Sequence, residues 1–101
     1  MSLQILDCTL RDGGYINDWR FGRKTITSIL DKLECAKIDI IECGFLTGMV
    51  QEKECSLFNS TADIEEVLPK RERSSMYVAM IAIGEKELHP SKLTPYDGKS
   101  I

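Results

Sequence analysis

The sequence predicts an α/β fold with parallel strands. Three short apolar runs read as strands, helical signals fall between them, and the two kinds of segment alternate along the chain. Alternation of this kind joins neighbouring strands by crossover helices, which makes the strands parallel and the crossovers right-handed.

The elements follow in order. Residues 3–8 form a short apolar strand, and residues 9–22 a long loop rich in Gly, Asp and Asn that carries two aromatics, Tyr15 and Trp19. A helix over residues 23–36 has Ile26, Ile29, Leu30 and Leu33 on one stripe, with Lys24, Asp31, Lys32 and Glu34 assigned to the solvent face. Residues 38–45, IDIIECGF, are β-branched and almost continuously apolar, as buried parallel strands are. Gly44 ends that strand, and residues 47–60 make a polar loop with room for short helical pieces. Ser60 or Thr61 caps a second helix over residues 62–68, with Glu65 placed for a capping box and Pro69 stopping it. Residues 76–83 are a third strand closed by Gly84, and residues 85–101, with Pro90, Pro95 and Asp97-Gly98, read as turns or a short helix.

The chain has 101 residues, 43% of them hydrophobic and 29% charged, which suits one small globular domain and is too apolar for a disordered one. A net charge of -3 argues against nucleic acid or an anionic membrane as partner, since both require a basic patch. The densest basic run, Lys70-Arg71-Glu72-Arg73, is interrupted by an acid and reads as a solvated helix end. No apolar stretch approaches the ~20 residues that span a bilayer, and no secretory leader is evident, so a cytoplasmic location is expected. Cys8, Cys35, Cys43 and Cys55 include no C-x-x-C pair; they are expected to be reduced, buried thiols.

Strand number limits the architecture. A doubly wound sheet takes about five strands or more, and a β/α barrel takes eight in about 250 residues. Three strands leave two edges open and the sheet faces thinly covered. The chain is therefore expected to be a piece of a larger protein, or to complete its surface by association through exposed sheet edges.

Parallel strands all point their C-terminal ends to one side, where α/β folds place their active sites. The first strand delivers Arg11 and Asp12 there, and the second delivers Glu42, 31 residues after Arg11. A carboxylate such as Asp12 is a hard oxygen donor for Mg2+ or Mn2+. A guanidinium such as Arg11 stabilises charge growing on a carbonyl oxygen or grips a carboxylate with two prongs. Glu42 is suited either to holding Arg11 or to binding a metal-bound water, and a carboxylate in so apolar a strand needs a partner. Gly13-Gly14 would let the loop backbone turn tightly beside the pocket.

Asp7-Cys8-Thr9-Leu10-Arg11-Asp12-Gly13, followed one βα unit later by Ile40-Ile41-Glu42-Cys43-Gly44-Phe45, resembles the N-terminal part of the DRE-TIM metallolyase superfamily. This group includes HMG-CoA lyase, 4-hydroxy-2-oxovalerate aldolase and isopropylmalate synthase. The resemblance covers roughly the first 45 residues well and continues to residue 84 in element order only. It implies a partial TIM (β/α)8 barrel, with the chain supplying the first three parallel strands and their helices as the N-terminal portion of a single domain. It also implies a divalent-metal-dependent aldolase or lyase acting on a 2-oxo acid through an enolate. In that reading Arg11 stabilises the enolate, Asp12 ligates Mn2+ or Mg2+, Glu42 is the glutamate of the motif, and Tyr15 lines the site.

Two departures are visible. Where aldolases of the hydroxy-oxovalerate type carry a histidine base, four residues after the arginine, this chain has Tyr15, whose hydroxyl ordinarily ionises near ~10 and serves as donor or acid rather than base. The H-x-H metal pair of the family comes from a late strand, whereas the single histidine here, His89, reads as a surface residue. The remaining metal ligands are thus expected outside this chain, and the chain alone is expected to be inactive. Two alternatives stay open: a Claisen-type acyl-CoA condensing enzyme like isopropylmalate synthase, and a non-catalytic barrel that binds a metabolite or partner.

Overall fold

The computed structural model describes residues 3–48, 52–81, 95–96 and 101. In chain order the elements are β1 (Leu6–Asp7), α1 (Thr9–Asp12), a 3-10 turn (Gly13–Ile16), α2 (Arg23–Cys35), β2 (Ile40–Leu46), β3 (Leu57–Phe58), α3 (Thr61–Glu65) and β4 (Met76–Met80). All strand pairings are parallel. The α/β class expected from the sequence is thus what the chain adopts.

β2 is the hub of the sheet. Its Ile40 pairs with Leu6 of β1 on one side and Met76 of β4 on the other, while Phe45 pairs with Leu57 of β3 and Met80 of β4. β1 and β3 therefore share one edge of β2 in succession, and β4 runs along the opposite edge. The pairing with β4 slips between Glu42 and Phe45, a bulge that spends three steps of β2 on two of β4. Gly44 makes the bulge possible. Its φ of +144° is open only to glycine, and a Cβ there would stand 2.1 Å from the Ser56 carbonyl oxygen. Gly44 lies inside the strand, which continues to Leu46; it does not end it.

Helix α2 forms where the apolar stripe predicts it and buries Ile26 and Leu30 completely. They pack with Ile41, Cys43 and Tyr77 of the sheet and with Ile64, Val67 and Leu68 from around α3. Because side chains alternate along a strand, Ile41 and Tyr77 face this core while Leu6, Ile40 and Met76, in one row, lie on the other face. Leu6 and Met76 are exposed there. An apolar cavity of about 330 Å³ also flanks β4, lined by Leu46, Tyr77, Ala79, Tyr96 and Ile101 among others. Among the described residues no helix is long and apolar enough to cross a membrane.

Several expectations are corrected. The loop after the first strand is largely helical: the Asp7 carboxylate accepts from the Thr9 N–H and hydroxyl at 3.0 Å each, and the Cys8 carbonyl from the Arg11 and Asp12 N–H groups. The first strand is shorter than 3–8, and β3 is a strand the polar loop did not announce. Helix α3 ends at Glu65, and Ser60 caps it by accepting from the Asp63 N–H at 3.2 Å, so Glu65 plays no capping-box role. The Lys70 ammonium donates to the Glu65 carbonyl at 2.6 Å, in keeping with a cation at a helix C-terminus. All four cysteines are free, but Cys35 is exposed and Cys8 half-buried, because helix α2 turns Cys35 away from the sheet. Residues 82–83 of the expected third strand, Gly84, His89 and most of the tail lie outside the described residues.

Candidate functional site

The site is built where β1 ends beside β2; Glu42 is the third residue of β2 and not at its end as expected, because the strand runs on to Leu46. Asp7 starts the α1 turn, and the turn projects Arg11 back toward β2. The Arg11 Nε donates to Glu42 Oε2 at 2.6 Å and its Nη2 to Oε1 at 3.3 Å, a two-pronged grip. The Glu42 side chain is 9% exposed and that of Arg11 22%, so the pair is largely withdrawn from water. Glu42 has Val78 as its register partner and lies on the sheet face away from Ile41 and Tyr77. The hydrogen bond to Glu42, together with its charge and that of Asp12, raises the Arg11 pKa further above its ordinary value. A guanidinium so held is a fixed positive charge. Its Nη1 side is turned toward Asp12, whose carboxylate lies 3.5 Å away and is 65% exposed.

Around this pair stands an aromatic wall. The Trp19 indole Nε1 donates to the Arg11 carbonyl at 2.6 Å. Tyr15 meets the Trp19 ring edge-on at 4.7 Å, and Phe45 does so at 5.5 Å from β2. Ser56, fully buried, donates through its hydroxyl to the Leu10 carbonyl at 2.6 Å.

The structure therefore brings Arg11, Asp12 and Glu42 together, and places Tyr15 against Trp19 beside them. Of the two tasks weighed for Glu42, both its oxygens are engaged in holding Arg11. Asp12 remains as an oxygen donor, since Thr9 engages both oxygens of Asp7. Among the described residues no group of three or more His, Cys, Asp or Glu stands ready to hold a metal ion. At this site the described residues thus offer Asp12 alone as a free carboxylate ligand and do not make up a complete divalent-metal centre.

Sequence reasoning missed two partners of the site, Trp19 as a donor and Ser56. Both act on backbone carbonyls through contacts that no local pattern encodes, though Gly14 held a hint: a Cβ there would fall 1.9 Å from the indole. It also misplaced Glu34. Assigned to the solvent face, Glu34 is 4% exposed and sits under the start of β4. Its carboxylate accepts from the Ser74 N–H at 2.8 Å, the Ser74 hydroxyl at 2.7 Å, the Ser75 N–H at 3.3 Å and the Tyr77 hydroxyl at 2.6 Å. Burial alone would push this carboxyl up, but the hydrogen bonds from Tyr77 and the two serines outweigh it and hold the pKa at about 2 in place of 4.5. Burial, then Glu34, pushes the Tyr77 hydroxyl up. This cluster lies outside the Arg11 site and joins the end of α2 to β4.

No protein-family model, curated protein or solved structure matches the chain.

Proposed function

We propose that the chain is the N-terminal part of a TIM-like barrel enzyme that makes or breaks C–C bonds of 2-oxo acids through an enolate, as a divalent-metal-dependent aldolase or lyase of the DRE-TIM type. The observation that supports this most is the two-pronged grip of Arg11, just beyond the C-terminal end of β1, on Glu42 of the adjacent parallel strand, with the exposed Asp12 carboxylate beside it. A buried carboxylate that holds a guanidinium still makes it a preorganised stabiliser of an oxyanion, because no reorganisation is needed as charge develops. In this role Arg11 receives the enolate oxygen, Glu42 orients Arg11, Asp12 supplies one metal ligand and Tyr15 lines the entrance. The open, apolar sheet face that carries Leu6, Ile40 and Met76 favours a barrel, whose interior is filled by side chains from all its strands.

A second reading has support in Tyr15. Its ring leans on Trp19, and it stands where relatives of the hydroxy-oxovalerate type carry a base, which suits a barrel that binds a 2-oxo acid without turning it over.

The test is pyruvate release from 4-hydroxy-2-oxo acids by the complete protein in the presence of Mn2+. Arg11→Lys removes the planar fork, and the rate is expected to fall on the order of 100-fold or more. An unaffected rate would refute the role given to Arg11. Binding of pyruvate without turnover by the parent protein would favour the second reading.

A further inference from the structure

We propose that Trp19 is a positioning residue for Arg11, its indole N–H fixing the turn from which the guanidinium reaches Glu42. The inference rests on the reading of Arg11 as the oxyanion-holding group and deepens it.

Four observations support it. Asp18 and Trp19 both adopt left-handed backbone conformations, with φ of 55° and 59°, a rare pair for residues with side chains. Trp19 is then pinned at every polar atom it has. Its N–H donates to the Gly14 carbonyl at 2.9 Å, its carbonyl accepts from the Ser56 N–H at 2.8 Å, and its indole donates to the Arg11 carbonyl at 2.6 Å. Gly14 leaves the room the ring occupies. Finally, Ser56 holds the preceding carbonyl, that of Leu10, so the peptides on both sides of the Arg11 Cα are tethered.

An aromatic that only filled space would need neither the strained turn nor the donor. What the donor accomplishes is loss of freedom at one Cα. Arginine has many rotamers, and a grip at 2.6 Å persists only if its backbone stays in place. Trp19 touches the main chain of Arg11, not the guanidinium, and so acts through it.

The experiment is the 1H–15N spectrum of arginine Nε–H groups in the 101-residue chain, with oxalate as the anionic probe. In the parent chain one Nε–H resonance, absent in Arg11→Lys, is expected to be shifted downfield and slow to exchange. In Trp19→Phe it is expected to move to the position of a free arginine and to exchange about tenfold faster or more, as loss of one hydrogen bond implies. The Tyr77 ring signals, on the opposite face of the sheet, should stay in place. If Trp19→Phe does not fold, benzothienylalanine at position 19 replaces the N–H by sulfur in a ring of the same shape, and the same change is expected. An unchanged Arg11 Nε–H resonance in the folded variant would overturn the proposal, as would an oxalate-induced shift present in the parent and equally large in the variant. If oxalate leaves the parent spectrum unchanged while loss of the indole donor still frees the guanidinium, the positioning role stands and the proposed function fails.

Discussion

Removing the Tyr77 hydroxyl tests whether the Glu34 cluster ties helix α2 to strand β4. Tyr77→Phe keeps a ring that is buried in the core and deletes one donor to a carboxylate 2.6 Å away. A hydrogen bond to a charged group is worth about 1.5–3 kcal/mol, so the variant should lose about 2 kcal/mol at pH 7. For a domain of this size that corresponds to a fall in Tm of roughly 10 °C. The acid limb carries the second signature. A carboxyl held at about 2 in the folded chain and near 4.5 in the unfolded one contributes stability that is fully present above pH 4.5 and is lost as pH falls toward 2. The contribution of Glu34 lost across that window is about 3 kcal/mol. It should shrink in Tyr77→Phe, because one of the bonds that lowers the pKa is gone, and should vanish in Glu34→Gln. Urea denaturation followed by far-UV circular dichroism, at pH 7 and in steps down to pH 2, measures both quantities. A Tyr77→Phe variant as stable as the parent at pH 7, or an acid loss unaltered in Glu34→Gln, would refute the reasoning.

Three further outcomes are expected. Gly44→Ala forces a Cβ to within 2.1 Å of the Ser56 oxygen at a φ of +144°, and should lower stability on the order of 3 kcal/mol or more, read as a shift of the urea midpoint; a loss below ~1 kcal/mol would show that the bulge relaxes freely. At alkaline pH the sign reverses from the acid case: burial pushes the Cys43 thiol and the Tyr77 hydroxyl up, so the stability they favour is present below their unfolded values of about 8.5 and 10 and declines above. Cys43→Ala should flatten the first part of that decline in denaturation series from pH 8 to 10, and an identical slope in parent and variant would count against it. Isothermal titration of the chain with Mn2+ should show affinity weaker than micromolar, since Asp12 is the one ligand the site offers; a sub-micromolar Kd would show a metal centre that the described residues do not reveal.

Long and periodic features were the legible ones. The stripe of Ile26, Ile29, Leu30 and Leu33 announced α2 because burial of an amphipathic face is a local pattern with a single outcome. Arg11 and Glu42 were legible as partners because parallel pairing sets neighbouring strands side by side one βα unit apart, although Glu42 lies early in β2 and meets Arg11 because β1 ends opposite Ile41. The remainder depended on contacts distant in sequence. Glu34 stands one turn after Leu30 on the flank of the apolar stripe, and its charge alone assigned it to solvent; the end of α2 lies beneath Ser74, Ser75 and Tyr77, which are 40 to 43 residues away. The helical turn after β1 follows an Asx turn, in which Asp7 accepts from the Thr9 N–H, inside a segment whose glycines read as loop. β3 comprises two residues, too few for any periodicity. Trp19 was legible as one of two aromatics in the loop, but its grip on the Arg11 carbonyl needs a left-handed turn that propensity disfavours.

The Arg11–Glu42 pair also has a bearing on how the strand finds its place. β1 pairs at Ile40 and Ile41 and β3 at Phe45 and Leu46, which leaves Glu42 in the interval where the α1 turn sits. A slip of β2 by one residue would present Ile41 or Cys43 to the guanidinium and turn Glu42 into the apolar layer of Ile26, Leu30 and Tyr77. An unpaired carboxylate and an unpaired guanidinium in such surroundings cost several kcal/mol together. The short flanking strands, with two register pairs each, contribute little discrimination of their own. The charge pair thus adds to the register pairs of β4 in favouring the alignment that assembles the site over a slip by one residue.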